Sequence, residues 1–408
     1  MAYKELRKLY YGDTAAYKKE YMSRFQSEDA IHLDFYISEN QAFFLEDASV
    51  LRLAYDIERI NRDIDGLSRQ LPGVAKGQYS QKCLIDEIVL TNKIEGVHSS
   101  RKEIDDALMV LESQSEKCGK KHRFLGLVNK YLKLTQREVI SLSTCQDIRD
   151  IYDELFLQEV VAENPENTPD GTIFRKHSTS VYGSADKVIH TGLMPEAKII
   201  EAVQKALAFL NDKSIDYIFR VAVFHYLLEY IHPFYDGNGR LGRFIVSYCI
   251  AEVYEPLLAY RISETVKENI NAYYNAFTVC NDPRNLGDIT PFVLMMLQMI
   301  YEASKELYAS LERKLSSWNK YEDLICAFKD SDQRKMRDLY SYLTQAALFS
   351  EKGISVAELM KYLNVSDTTA RKMLKKVEDK LLVIKQKGHT NYYSLNLQIM
   401  DRIILDNA

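Results

Sequence analysis

The chain has 408 residues, 46% of them hydrophobic, with only 8 prolines and 16 glycines, which excludes a disordered or collagen-like polymer and suffices for two or three packed domains. Its net charge of −5 excludes attraction of the whole surface to nucleic acid, so any such attraction must be local. Six cysteines, Cys83, Cys118, Cys145, Cys249, Cys280 and Cys326, show neither CxxC nor Cys/His metal spacing; with a polar amino terminus and no apolar run approaching a membrane span, the expected setting is the reducing cytoplasm, with no membrane partner.

Apolar residues at spacings of three and four predict helices over Val50–Arg69, Arg123–Leu134, Gln146–Val161, Glu196–Leu210, Asp216–Ile231 and Arg240–Tyr254, so the fold class is mainly α. Between the first two lies an amphipathic segment from about Gln81, with Leu84, Ile88 and Ile94 as apolar positions, that ends in Thr91-Asn-Lys-Ile-Glu95-Gly96. Gly96 is a stop signal. Glu95 then sits at the unfavourable end of the helix dipole, either solvated or answered by a cation elsewhere, and the sequence offers Arg243. Further on, Ser178–Pro195 is polar and turn-rich; it is an ordinary connecting loop or a short structured element of its own.

The densest chemistry is His232-Pro-Phe-Tyr-Asp-Gly-Asn-Gly-Arg-Leu-Gly-Arg243. Pro233 cannot continue the preceding helix, which puts His232 at a turn. Gly237 and Gly239 clear side chains from the start of a new helix, so its free N–H groups can approach an anion. Arg240 and Arg243, three apart, share a helix face, and both are expected to point back towards that nest. Asp236, with phosphate oxygens and waters, makes a Mg2+ site without a full protein cage. The plain alternative is a loop between core helices with incidental glycines. His225, seven residues earlier among Val221, Phe224 and Leu228, reads as a satisfied core histidine.

After the motif, Ser263–Asn281 reads as one helix carrying Tyr273 and Tyr274, followed by Gly287-Asp-Ile-Thr-Pro291-Phe292, and Tyr301–Leu324 as a helical connection. From about Asp332 the pattern becomes helix (Ile354–Leu363), turn (Asn364-Val-Ser366), helix (Asp367–Lys380), then a hairpin with a basic tip, Leu382–Gln386 and Asn391–Leu395 around Lys387-Gly388. This is a winged helix-turn-helix pattern. Thr368, Thr369, Arg371, Lys372, Lys375 and Lys376 suit either double-stranded DNA or a protein partner.

His232 to Arg243 matches HPFx(D/E)GNGRxxR at every fixed position, and the chain thereby resembles the Fic domain family. The resemblance implies a Fic-fold helical core with a short β-hairpin flap over residues 112–307. It implies a protein adenylyltransferase, which moves AMP from ATP to a Tyr, Thr or Ser hydroxyl of a target protein and releases pyrophosphate. His232 would be the general base, Asp236 the Mg2+ ligand (Mn2+ as substitute), and Gly237, Asn238, Gly239, Arg240 and Arg243 the phosphate grip. Thr91–Gly96 resembles the family's inhibitory helix, (S/T)xxxE(G/N). Residues 1–111 would then be an N-terminal helical region with that helix at about 81–95. Glu95 would pair with Arg243 and deny it to the γ-phosphate. A self-association, as a homodimer, that pins the inhibitory helix would suit such a device.

Ser178–Pro195 resembles the family's flap, with Val188, Ile189, His190, Thr191, Gly192 and Leu193 docking the target; His190 reads as a surface histidine there. Tyr274 and Asn281 fall where family members contact adenine, though paired tyrosines also suit packing. A helical linker, 308–331, and the winged-helix domain, 332–408, complete the expected layout. Two alternatives use the same residues: a de-AMPylating phosphodiesterase, and a DNA-binding regulator whose Fic site only senses nucleotide. The intact His232 favours an enzyme, because a sensor has no use for a base.

Overall fold

Uninterrupted three-and-four periodicity becomes helix through most of the chain, as seen in a computed structural model that describes residues 3–112, 123–182, 188–326, 328, 334–388 and 390–406. Cys118, the tip of the turn-rich segment, the boundary at 332 and His389 lie outside the described residues. Two units form: residues 1–61 with 84–305, and residues 62–83 with 306–408. No helix among the described residues is long and apolar enough to cross a membrane.

The first unit opens with α1 (Leu6–Gly12) and α2 (Thr14–Phe25). Asp13 starts the second by accepting from the N–H groups of Ala15 and Ala16. An antiparallel hairpin follows, β1 (Ala30–Ile37) and β2 (Asn40–Leu45), with Ala30 opposite Leu45. This corrects the all-helical expectation for the N-terminal region. Leu33, Phe35 and Ile37 are buried at alternate positions, the period-two signal of a half-buried strand. Next come α3 (Ala48–Gln70), α4 (Gly73–Ile94), α5 (Arg101–Glu112), α6 (Leu125–Thr135), α7 (Cys145–Tyr152) and α8 (Gln158–Glu163). The helix expected over Gln146–Val161 is thus divided: a π-helical turn, Asp153–Leu157, separates α7 from α8.

The turn-rich segment forms β3 (Ser180–Tyr182) and β4 (Val188–Thr191), paired antiparallel, before α9 (Glu196–Leu210). The central helix is α10 (Tyr217–Ile231), buried at almost every position, as its apolar content all round requires. It packs against α9 and against α11 (Asn238–Val253). After α12 (Pro256–Ala259), the single helix expected over Ser263–Asn281 is two, α13 (Ile262–Glu268) and α14 (Ile270–Cys280). Asn269 breaks it, its side chain bonding back to the Thr265 carbonyl at 3.1 Å and competing with the backbone ladder. The connection expected over Tyr301–Leu324 belongs to one long helix, α15 (Thr290–Cys326).

The second unit adds α16 (Arg334–Phe349), β5 (Ile354–Ser355), α17 (Val356–Leu363), α18 (Asp367–Leu374), β6 (Leu382–Lys387), β7 (Thr390–Leu395) and α19 (Leu397–Asp406). Its sheet runs β5-β7-β6, all antiparallel. Ser355 and Glu358 form a reciprocal capping box at α17, and Ser366 caps α18. Ile354, Leu359, Ala370, Leu339 and Met400 meet in the core of this unit. Two expectations needed adjustment: Ile354 and Ser355 are strand, not helix, and the second helix stops at Leu374 instead of Lys380.

Candidate active site

The site is built where α10 stops and α11 starts. Pro233 bars a further helical turn, and His232 closes α10 in the left-handed region at φ 53°, donating its N–H to the Leu228 carbonyl at 2.9 Å. A left-handed non-glycine residue is uncommon and persists only where its surroundings hold it. Asn238 spans the turn: its Oδ1 accepts from Phe234 N–H at 3.0 Å and its Nδ2 donates to the Phe234 carbonyl at 2.9 Å. Phe234 in turn stacks on Tyr152, ring centres 3.7 Å apart. Gly237, at φ 82°, supplies the left-handed entry to α11 that a side chain would oppose. The first N–H groups of α11 have no partner within the helix and carry its positive dipole end.

The turn is held from outside by the segment around β3 and β4. Arg175, fully buried, donates Nε to the carbonyl of His232 at 2.9 Å, Nη1 to that of His177 at 2.6 Å and Nη2 to that of Leu193 at 2.9 Å. His190 Nε2 meets the Tyr230 carbonyl at 2.7 Å. His190 is therefore not the free surface histidine expected of a hairpin; the end of α10 exposes a carbonyl that its ring N–H can reach. Burial lowers its pKa, against the opposing effect of that carbonyl bond.

A cavity opens beside this turn, lined by His232, His190, Val181, Ile189, Gly239, Arg243, Glu229 and Glu95, by Tyr273, Tyr274, Phe277 and Thr278 of α14, and by Asn281 just after it. Arg243, almost completely buried, carries its Nη1 2.7 Å from Glu95 Oε1. The same guanidinium donates Nε to Thr91 Oγ1 at 2.9 Å and Nη2 to the Thr91 carbonyl at 3.1 Å. One turn earlier still, Glu87 accepts from Ser263 N–H at 2.9 Å and Ser263 Oγ at 2.6 Å. Glu87, Thr91 and Glu95, spaced by four, thus form a polar stripe on one face of α4 and the residue just after it. Burial works against the Arg243 charge, but the charge and hydrogen bond of Glu95, together with Tyr273 and Glu229, outweigh it and hold the guanidinium protonated above its ordinary range.

Arg240 shares a helix face with Arg243, yet only Arg243 lines the cavity. Arg240 is buried, its Nη1 2.9 Å from Glu159 and its guanidinium over the Phe156 ring, while Nε and Nη2 have no hydrogen-bond partner among the described residues. Asp236 accepts from Gly237 N–H at 2.5 Å. Among the described residues no cluster of three or more His, Cys, Asp or Glu side chains is disposed to hold a metal.

Burial pushes the His232 imidazole down to about 3, helped by the charges of His190 and Arg175 and opposed by the Glu229 carbonyl. It stays neutral near pH 7, the form that accepts a proton, and its Nδ1 is buried with no hydrogen-bond partner among the described residues. Tyr274 and Asn281 both line the cavity; the Asn281 carbonyl oxygen accepts from Tyr226 Oη at 2.7 Å, which leaves its amide nitrogen as donor. His225 is buried with Nε2 bonded to Tyr273 Oη at 2.7 Å, and burial, then Arg243, lower its pKa to about 3.

Three site residues escaped the sequence reading. Arg175 sits in a stretch with no periodicity to flag it. Glu159 and Glu229 lay inside helices read only for their apolar positions. Glu229, one turn before His232, carries a signal that was available: a carboxylate in the apolar helix ending at the motif. Its Oε1 is buried with no hydrogen-bond partner among the described residues, and burial, then the charge of Glu95, raise its pKa to about 8 against the pull of Arg243.

Residues 142–250 match the Fic/DOC family. Protein adenylyltransferase fic-1 of Caenorhabditis elegans is 33% identical over 144 residues, which are 35% of this chain and 25% of that protein. A probable protein adenylyltransferase of Aquifex aeolicus is 34% identical over 86 residues, 21% of this chain and 25% of that one. The chain thus spans about a quarter of the length of these relatives. Among solved structures, a Fic family protein from Desulfovibrio desulfuricans G20 shares the fold with a TM-score of 0.53 at 19% identity, covering 86% of this chain and 96% of that one.

Proposed function

Because residues 142–250 of this chain are a Fic domain, we propose that it is an autoinhibited protein adenylyltransferase acting on ATP and a hydroxyl side chain of a target protein. The observation that carries this reading is the convergence, on one cavity, of a neutral histidine, a helix N-terminus cleared by Gly239, and a buried arginine held by a carboxylate from a separate helix.

In the forward reaction the target hydroxyl oxygen bonds to the α-phosphorus of ATP as the bond from that phosphorus to the bridging oxygen breaks. His232 takes the hydroxyl proton, and pyrophosphate leaves with the electron pair of the broken bond. Negative charge from the bound nucleotide raises the His232 pKa from its low resting value towards the range where a general base is effective. The N–H groups of Asn238 and Gly239 and the Arg243 guanidinium oppose the charge on the phosphates. Asp236 would hold Mg2+, which would supply neutralisation of phosphate charge when bound. Tyr274 and Asn281 offer an aromatic face and an amide to the adenine. Val188 to Leu193 present the hairpin on which the target lies.

Glu95 silences this site by occupying Arg243, the arginine the γ-phosphate needs. The test is mass spectrometry of the Glu95→Gly protein with ATP, Mg2+ and host lysate. AMP increments that vanish with His232→Ala support the reading; no increment with Glu95→Gly rejects it. Removal of AMP from a modified target is the second reading, favoured by one observation: Glu95 lines the same cavity as His232, where a carboxylate can hold an attacking water. Loss of AMP from a premodified target with the unaltered chain, but not with Glu95→Gly, identifies it.

The second unit is read as a winged-helix domain that binds double-stranded DNA. Arg371, Lys372, Lys375 and Lys376 are all exposed on and just beyond α18, and this supports contact with phosphates.

A further inference from the structure

Arg175 is a fully buried cation that forms no ion pair among the described residues. A buried guanidinium without a carboxylate is costly, and the cost is tolerable only if each nitrogen finds an acceptor. Arg175 meets that demand with backbone carbonyls alone. One belongs to His232 itself, and the other two, His177 and Leu193, flank the β3–β4 hairpin on either side.

The wider pattern is more specific. Four consecutive carbonyls at the end of α10 are each engaged by the segment that carries the hairpin. Tyr230 takes His190 Nε2 (2.7 Å) and Ile231 takes Leu193 N–H (3.1 Å). His232 takes Arg175 Nε (2.9 Å) and Pro233 takes Arg175 N–H (3.3 Å). Those of Tyr230 and Ile231 are groups that a helix C-terminus leaves without internal partners, and those of His232 and Pro233 belong to the turn that follows. They also fix the left-handed backbone of His232, at φ 53°, on which the direction of its imidazole depends. Gly192 is part of the same fit: a Cβ there would lie 2.3 Å from Arg175 Nη2 and 2.9 Å from His232 Cβ.

The geometry points to Arg175 as the positioning residue for His232, tying the placement of the base to the hairpin on which the target is docked. Lysine cannot replace it, because one ammonium cannot reach three carbonyls lying in different directions in the plane of a guanidinium. The inference rests on the proposed transferase reading, in which His232 is the base.

The experiment uses the full chain with Glu95→Gly, measuring AMP incorporation into the chain itself from labelled ATP. Both the saturating rate and the ATP concentration at half that rate are read. Arg175→Lys is expected to lower the saturating rate on the order of tenfold or more, since a small misplacement of a reacting group has effects of that size. The half-saturating ATP concentration is expected to change by less than about twofold, because Arg175 makes no contact with the nucleotide cavity's lining from α14. Arg175→Gln, which keeps one donor arm and loses the charge, is expected to be no better. A saturating rate within about twofold of the parent in both variants, with ATP use unchanged, overturns the inference. If both variants lose ATP binding, Gly192→Ala decides the matter: it displaces Arg175 while leaving it present, and a full rate there overturns the inference equally. Failure of the underlying reading is separate and visible in the parent, as no incorporation at all or incorporation that survives His232→Ala.

Discussion

Glu95 Oε1 stands 2.7 Å from Arg243 Nη1, and Thr91, one turn earlier, takes the Nε of the same guanidinium at 2.9 Å. Among the described residues, the hydrogen-bond partners of this buried arginine therefore come from the end of α4 and the residue just after it. In the proposed transferase this helix end would control the access of a γ-phosphate to that arginine.

Glu95→Gly is expected to raise AMP incorporation by about tenfold to a hundredfold, the usual span of a coupling between two sites. It is also expected to cost about 1–2 kcal/mol of stability, since a buried cation loses its carboxylate but keeps both Thr91 bonds. A labelled-ATP assay and thermal unfolding on the same protein check the pair of outcomes. Activity that rises while the melting temperature falls is the signature expected; a drop in both rejects it.

Asn238→Ala removes both buried bonds to Phe234 and leaves its N–H and carbonyl unsatisfied. A loss of about 2–3 kcal/mol is expected, with ATP binding weakened because the turn that presents the N–H groups loosens. Denaturant titration and calorimetry with ATP measure the two effects. Unchanged stability would show that the side chain matters only through contact with phosphate.

The pH dependence of stability follows from Glu229. Its pKa rises from 4.5 to about 8 on folding, so between those values unfolding releases a proton and stability falls as pH rises. His225 and His232 act in the opposite sense. Each falls from 6.5 to about 3, so the stability they contribute is lost as pH drops below about 6.5. Glu229→Gln is expected to remove the downward slope that Glu229 contributes between pH 4.5 and about 8 and to leave the profile below about pH 4.5 unchanged. Melting temperatures across the pH range give the answer, and an unaltered slope in that window contradicts the assignment.

For the second unit, Arg371→Ala with Lys372→Ala is expected to weaken duplex DNA binding at all sequences alike and to reduce the salt slope by about 2, one for each phosphate contact removed. Fluorescence anisotropy at several salt concentrations reads both quantities. Absence of binding by the unaltered chain at low salt assigns this face to a protein partner instead.

What the sequence determined by itself was whatever depends on near neighbours. Pro233 ends a helix, Gly96 and Gly237 adopt the left-handed backbone, and three-and-four spacing makes α9 and α10; all of these follow from local sterics and periodicity. The order of chemistry from His232 to Arg243 was equally local. Tertiary structure alone decided which side chains that shared face would deliver. Arg243 reaches the cavity and meets Glu95, whereas Arg240, three residues earlier, turns to Glu159 and the Phe156 ring. It also decided that Arg175 would hold the His232 carbonyl across 57 residues of chain. Pairings of that kind are selected by burial, since a charge withdrawn from water must find whichever acceptor the packing brings within reach.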